Sequence, residues 1–133
     1  MLTDTARSPY VRLRSVPLGA SRWTSGFWQD LFQRCHDVMV PNLWRLLEDS
    51  SISHAYANFL IAAGEQQGHH KGPKWHDGDF YKWLEATAAV YAITRDERLD
   101  DLMDQAIDTI ARVQRDQPDP FHTGNRNGNG WQR

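Results

Sequence analysis

Apolar residues in the first half of the chain recur at helical spacing. Between residues 27 and 39 they fall at every third or fourth position, and residues 42–48 continue the pattern. Such spacing places the apolar side chains on one face of an α-helix. Pro41 lies between the two stretches, lacks a backbone N–H and crowds the preceding turn. The pattern therefore predicts a helix that breaks or kinks at Pro41, followed by a second short helical piece over residues 42–48.

Three further helices are predicted downstream. Residues 54–63 form a short apolar helix, residues 64–74 a loop rich in Gly, His and Gln, and residues 79–94 a helix with almost no polar face. Asp96 is a suitable N-cap for the last helix. That helix has one apolar face, made of Leu99, Leu102, Met103, Ala106, Ile107, Ile110 and Val113. The fold class is therefore all-α, with a helical hairpin at its end.

The two ends of the chain carry different patterns. Residues 1–9 are polar and predicted to be disordered, and residues 117–133 contain two Pro, three Gly and three Asn, which predicts an irregular tail. Residues 10–16 alternate apolar and polar, which predicts one short strand that ends at Pro17. A lone strand leaves its backbone groups unmatched, so the strand needs a partner that the nearby sequence does not supply.

Composition narrows the function classes. The chain has 133 residues and a net charge of -2, with no basic stripe, which argues against nucleic acid and anionic membranes as partners. One cysteine, Cys35, excludes an intramolecular disulfide and fits a reducing compartment. No apolar run is long enough for a signal peptide or a membrane span, so we expect a cytoplasmic protein. Aromatic residues make up 11% of the chain, which suits a sugar-binding cleft, although large core residues are the commoner use.

Residues 75–86 carry the candidate chemistry. Asp79 is placed to cap the helix, and the partial positive charge of a helix N-terminus favours ionised Asp77 and Asp79. The two carboxylates are also candidates for acid/base work, but capping is the commoner role. Trp75 precedes the helix among polar residues and is the best candidate to stack on a sugar ring, with Tyr81 as a second aromatic candidate.

Two other polar groups have alternative interpretations. Lys82 and Glu85 lie three apart on the apolar helix, which favours a structural ion pair. Three loop histidines, His69, His70 and His76, lie close to Asp77 in the sequence, and imidazole and carboxylate suit zinc. Their spacing matches no metal-ligand motif, so a polar loop is the preferred interpretation.

Several motifs, taken in order, resemble one family. They are Gly26-Phe27-Trp28, the Pro41-Asn42-Leu43-Trp44 step, Asn58-Phe59 with Ala62-Ala63-Gly64, the D-x-D-x-Y-K-W-L-E-A run that starts at Asp77, and the helix that ends at Gln114. Over most of residues 10–123 the chain resembles the N-terminal part of the catalytic domain of glycoside hydrolase family 127, the β-L-arabinofuranosidase-like proteins. The D-x-D run is the most specific of these elements.

The resemblance implies a fold, and it implies that the catalytic residues lie outside this chain. Family members have an (α/α)6 barrel of six helical hairpins, of which residues 10–116 would supply the first strand and the first few helices. The family's catalytic glutamate and its zinc-bound cysteine nucleophile, with further zinc ligands, lie beyond the matched region, and Cys35 matches none of those cysteines. We therefore expect no catalytic residue, no metal ligand and no cofactor in this chain, although the full-length family binds zinc.

The resemblance also places Asp77 and Asp79 near a sugar pocket and His122 in a loop directed toward it. The predicted substrate-binding residues are Trp75, Asp77, Asp79, Tyr81 and His122. The predicted function is that of an N-terminal fragment of a glycoside hydrolase, which supplies pocket walls for a carbohydrate substrate but not the catalytic centre. The alternative is a non-catalytic helical module that binds a partner protein.

The tail departs from the family pattern. Pro120 stands where the family has glycine, the loop is one residue short, and the likeness ends after Thr123. These departures predict a truncated or frame-disrupted gene product, or an expression boundary, that is inactive alone.

Overall fold

The computed structural model describes residues 8–14 and 16–116, and most of the described chain from Phe27 onward is helical. The elements are a 3-10 helix Leu18–Ala20, α1 Phe27–Arg34, a π-helical segment Cys35–Met39, α2 Val40–Glu48, α3 Ala55–Ala62, α4 His76–Thr94 and α5 Glu97–Asp116. The predicted helical fold is confirmed. None of the described helices combines the length and the apolar character needed to cross a bilayer.

The helix does not break at Pro41, so that part of the prediction is wrong, and the kink given as its alternative stays a prediction. Arg34, Met39 and Val40 all have right-handed helical backbone angles, so α1, the π-helical segment and α2 form one continuous helical run. The Val40 N–H donates to the Cys35 carbonyl, five residues back, instead of four. The wider π turn comes immediately before Pro41, where it accommodates the missing N–H and the bulk of the ring without ending the helix.

The strand predicted over residues 10–16 is not confirmed. No strand occurs in residues 8–14 or 16–116. Tyr10, Leu13 and Val16 are 90%, 88% and 70% exposed, so no neighbouring element covers the apolar positions of this segment. The disordered segment predicted over residues 1–9 and the tail predicted over residues 117–133 lie outside the described residues, apart from Ser8 and Pro9.

An aromatic cluster joins α2, α3 and α4. Its members are Trp44, Tyr56, Phe59, Phe80 and Trp83. The Trp44 and Trp83 ring centroids are 4.7 Å apart, and those of Phe59 and Phe80 are 4.9 Å apart. The Trp83 indole N–H donates to the Val40 carbonyl over 3.1 Å, so this buried donor of the cluster is paired. The cluster therefore fixes the positions of three helices relative to one another.

The hairpin of α4 and α5 matches its sequence pattern closely. Arg95 adopts a left-handed conformation with φ 56° after α4, and the Arg98 N–H donates to Asp96 Oδ1 over 3.0 Å. The predicted N-cap at Asp96 is therefore confirmed. Most of the predicted apolar face of α5 is covered, but Ile107 is 49% exposed.

Candidate functional site

The first turn of α4 begins three residues earlier than predicted, at His76. Trp75 is the N-cap residue, and no side chain caps this end. The cap predicted at Asp79 is wrong because a turn precedes the helix, in which the His76 N–H donates to the Pro73 carbonyl over 3.2 Å. Asp77 and Asp79 both lie within the first turn, where the helix macrodipole favours ionised carboxylates.

Asp77 and Tyr81 lie one helical turn apart on the side of α4 that faces α3. Asp77 is half-buried, and its Oδ1 accepts the Gly78 N–H over 2.9 Å. The Tyr81 ring contacts Phe59 of α3 edge-on, with centroids 5.8 Å apart. Burial and then the Asp77 charge raise the pKa of Tyr81 above its usual value. The phenol is therefore neutral at pH 7 and has an O–H group that can donate a hydrogen bond, near the Asp77 side chain, whose oxygen atoms can accept one.

Asp79 points away from that side, and Trp75 precedes the helix as its N-cap residue. Asp79 Oδ1 lies 3.2 Å from Lys82 Nζ, and both side chains are more than half exposed. The predicted Lys82–Glu85 ion pair is therefore wrong, because Lys82 pairs with an acid one turn back on a solvent-facing surface. Residues two apart on a helix do not face each other, so Asp77 and Asp79 do not form a carboxylate pair. Trp75 is 70% exposed, which leaves its indole face free for stacking.

Asn58 holds the loop between α3 and α4, and it was not among the predicted site residues. Its Nδ2 donates to the Lys71 carbonyl over 2.9 Å, and the Lys71 N–H donates to Asn58 Oδ1 over 3.0 Å. Asn58 itself is only 8% exposed. An amide in an otherwise apolar helix is the signal that identifies such a residue, since a buried amide needs partners for its polar atoms.

A small cavity lies beneath this loop and reaches the first turn of α4. It has a volume of about 10 Å³, and Asn58, Phe59, His70, Lys74 and Asp77 contribute to its lining. That is room for about one water molecule. On the other side of Asn58 a cavity of about 120 Å³ is lined by loop residues that include His69. The site is therefore a shallow wall made by α3, the loop and α4.

The loop histidines do not form a metal site in the part of the chain that the structure describes. No three His, Cys, Asp or Glu side chains in residues 8–14 and 16–116 come together in a way that could hold a metal ion. Burial and then the nearby His76 lower the pKa of His70, and the Asp77 charge opposes this shift. His122 lies outside the described residues.

The side chains at the start of α4 offer the kinds of contact that sugars use. An exposed indole offers a flat apolar surface to one face of a ring, and the carboxylate and the neutral phenol accept and donate hydrogen bonds to hydroxyl groups. Because Asp77 and Asp79 lie on different sides of α4, they do not flank one ligand position as a hydrolytic carboxylate pair does.

Comparison with known proteins places the chain among the glycoside hydrolases. The family model described as the β-L-arabinofuranosidase GH127 catalytic domain matches residues 20–129. The chain therefore belongs to glycoside hydrolase family 127, and the resemblance seen in its motifs is confirmed.

Two relatives show the extent of the similarity. A non-reducing end β-L-arabinofuranosidase from Bifidobacterium longum subsp. longum is 34% identical, in a match that covers 68% of this chain and 16% of the relative. The crystal structure of a GH127 β-L-arabinofuranosidase from Geobacillus stearothermophilus T6 is 36% identical and superimposes with a TM-score of 0.68, over 74% of this chain and 16% of that one. The chain thus spans about one sixth of the length of these relatives.

Proposed function

We propose that this chain forms the N-terminal part of the helical barrel of a glycoside hydrolase that acts on β-L-arabinofuranosides. In this proposal the chain supplies one wall of the sugar pocket and not the catalytic centre. The observation that carries it is the start of α4, where Trp75, Asp77 and Tyr81 offer stacking and hydrogen-bonding groups in a chain of family 127.

The three side chains have distinct roles in this proposal. Trp75 stacks on the apolar face of the sugar ring, because its indole is 70% exposed. The Asp77 carboxylate accepts a hydrogen bond from a hydroxyl group, and the Tyr81 phenol donates one. Asp79 orients Lys82 at the rim through their 3.2 Å ion pair, and His122 is proposed as a further sugar contact.

An uncovered apolar stripe supports the assignment to part of a larger barrel. The stripe runs along α1, the π-helical segment and α2, and consists of Phe27, Trp28, Leu31, Val38, Met39, Leu43 and Leu46, each between 42% and 70% exposed. It adjoins the buried face of the same helical run. A continuous apolar stripe of this length is unusual on the surface of a complete small domain, and further barrel helices would cover it.

The catalytic groups, including zinc and its ligands, come from outside this chain in this proposal. Cys35, the one cysteine, lies half-buried at the start of the π-helical segment. It does not serve as the nucleophile, and the chain binds no cofactor of its own. We therefore expect the chain alone to hydrolyse no p-nitrophenyl β-L-arabinofuranoside. Turnover that Asp77→Asn abolished would show that the chain carries its own catalytic centre.

A chimera tests the pocket-wall role directly. Residues 20–129 would replace the matching segment of the Geobacillus stearothermophilus enzyme, and kcat/KM would be measured on the same substrate. We expect an active chimera in which Trp75→Ala, Asp77→Asn and Tyr81→Phe each lower kcat/KM by about tenfold or more, the loss of roughly 1.4 kcal/mol of binding.

The matched control is Asp101→Asn, which removes a carboxylate from the exposed outer face of α5 and should leave kcat/KM unchanged. A folded, active chimera that tolerates all three pocket substitutions as well as it tolerates Asp101→Asn would refute the pocket-wall role. His122→Ala in the same chimera tests the loop contact separately.

The alternative function is a non-catalytic interaction module, which the same exposed stripe on α1 and α2 favours. Light scattering on the purified chain distinguishes the two. A stable, monodisperse oligomer that Leu43→Glu converts to monomer would favour the module, whereas concentration-dependent aggregation would favour a part of a larger barrel.

A further inference from the structure

A second cleft lies at the opposite end of α4. It has a volume of about 380 Å³, and its lining includes Arg22, Trp23, Gln29, Phe32, Gln33 and His36, together with the last residues of α4. The volume falls in the range of about 300–1,000 Å³ that small-molecule sites occupy. Because α4 has 19 residues, the cleft is roughly 28 Å from the first turn of the helix. It is therefore a different place from the site described above.

One wall of the cleft is a supported aromatic surface. Trp23 is 51% exposed, and its ring lies against Phe32 with centroids 5.9 Å apart and planes inclined by 41°. Phe32 belongs to α1, so the indole rests on a helix although the residue itself precedes that helix. A large aromatic ring that is braced on one side and open on the other suits stacking of a flat or ring-shaped ligand.

Three polar side chains that line the cleft have hydrogen-bonding groups left for a ligand. Arg22 Nη2 donates to the Ile93 carbonyl over 3.3 Å, which leaves most of its five N–H groups available. Gln33 Nε2 donates to Asp37 Oδ2 over 2.8 Å, and its carbonyl oxygen stays open as an acceptor. The Gln29 amide, one helical turn earlier, adds a donor and an acceptor.

The charge at the cleft is balanced. His36 is held on both ring nitrogens, with Nε2 2.8 Å from Asp96 Oδ2 and Nδ1 2.8 Å from Asp37 Oδ1. Arg22 lies at the C-terminal end of α4, where the helix carbonyls carry partial negative charge. An anionic ligand would meet those carbonyls, with the Asp37 carboxylate behind Gln33 and His36, and a cationic ligand would meet Arg22. A neutral ligand with many hydroxyl groups fits this lining best.

We propose that this cleft binds a neutral saccharide, with one sugar ring stacked on Trp23 and its hydroxyl groups bound by Gln29, Gln33 and Arg22. This site is additional to the pocket at the first turn of α4 and does not depend on it. It is also formed entirely within this chain, by residues that precede α1, lie within it or follow it directly, and by the end of α4.

Nuclear magnetic resonance on the full 133-residue chain, labelled with nitrogen-15, tests the proposal. The Trp23 indole signal is assigned by its loss in Trp23→Phe. L-arabinose and D-galactose are then titrated separately, and D-glucuronate is the charged sugar used for comparison. We expect a saturable shift of the Trp23 signal with the neutral sugars and at least a tenfold weaker effect of glucuronate. Trp23→Ala, followed through the Gln29 side-chain amide signal, should weaken neutral-sugar binding about tenfold or more.

The control variant is Trp75→Ala, which should leave the Kd measured at Trp23 unchanged while it removes any response at the first turn of α4. A Trp23 signal that does not saturate, that responds as strongly to glucuronate, or that loses its response in Trp75→Ala would overturn the second site. A shift that depends on protein concentration without added sugar would also overturn it, because a second copy of the chain would then occupy the cleft. None of these results decides the role of Trp75 in the chimera.

Discussion

The amide of Asn58 provides the sharpest test of how the loop at the candidate site is held. The Asn58→Leu substitution keeps a side chain of similar size but removes both hydrogen bonds to Lys71, of 2.9 and 3.0 Å. The residue is 8% exposed, so water does not replace the lost partners at position 58. The loop should separate from α3 while the helices keep their packing.

The structure sets the size of the effect. A neutral hydrogen bond contributes about 1 kcal/mol net, so two contribute about 2 kcal/mol. Lys71 is exposed, so its freed N–H and carbonyl groups bind water and add no large desolvation penalty. Burial of the leucine side chain offsets part of the loss. We therefore expect Asn58→Leu to lower the free energy of unfolding by about 1–2 kcal/mol, or the Tm by roughly 4–8 °C.

Urea unfolding and amide hydrogen exchange measure the two consequences. The midpoint should fall with an unchanged m value, and the Lys71 amide should lose its protection from exchange while the α5 amides keep theirs. Asn42→Leu is the matched control, because Asn42 is exposed on α2 and surface substitutions of this kind change stability by about 0.5 kcal/mol or less. A midpoint equal to that of Asn42→Leu, with Lys71 still protected, would refute the account of the loop.

Three more predictions concern the neighbouring loop and the hairpin turn. Gly72 has φ +87°, and a Cβ there would lie 2.5 Å from His76 Nδ1. Gly72→Ala should therefore lower the free energy of unfolding, measured in urea, by about 2 kcal/mol. Adding His76→Ala to Gly72→Ala should recover part of that loss. Because burial lowers the pKa of His70 in the folded state, the folded chain resists protonation of this side chain, so its stability should fall as the pH drops below about 6.5. His70→Asn should flatten this pH dependence of stability between pH 7 and 5. A slope equal to that of the unchanged chain would contradict the prediction. Hydrogen bonds from Arg98 hold the pKa of Asp96 well below its usual range, against an opposing effect of burial, so this carboxylate stabilises the fold above about pH 4 and loses its effect on further acidification. Asp96→Asn should make the acid unfolding profile shallower, and Asp96→Ala should cost about 1 kcal/mol more through the lost helix cap.

Local signals in the sequence were enough for α3, α4 and α5. A hydrophobic repeat and the capping residue Asp96 are signals that act over a few positions. The predicted bounds of α3 and the predicted start of α5 therefore agree closely with the structure. The helix break at Pro41 failed for a physical reason. The effect of proline depends on the hydrogen-bond pattern of the preceding turn, and a π-helical turn over Cys35–Met39 leaves no mark in the spacing of apolar residues.

The site was less predictable because its geometry depends on contacts between distant segments. Tyr81 acquires its environment from Phe59 of α3, and Asn58 meets Lys71, 13 positions away. The second cleft is the extreme case, since Arg22 reaches Ile93 across 71 positions. Residue types near α4 were enough to nominate Trp75 and Asp77, but no pattern along the chain brings Trp23 to the end of that same helix.

The position of α4 explains why one short chain can carry the two proposed ligand surfaces. Between its ends the helix is fixed by Phe80, Trp83, Thr87 and Val90, all 5% exposed or less, and it contacts α2, α3, α5 and the 3-10 helix. A helix that is packed this firmly along its middle passes little structural change from one end to the other. The effects of substitutions more than about 10 Å apart, with no shared contacts, are additive. Substitutions at Trp75 and Trp23 should therefore act independently. A loss of packing at Phe80 should disturb the surface at the first turn of α4 more than the cleft, because Phe32 of the cleft packs against a separate buried cluster of Val40, Val90 and Leu99.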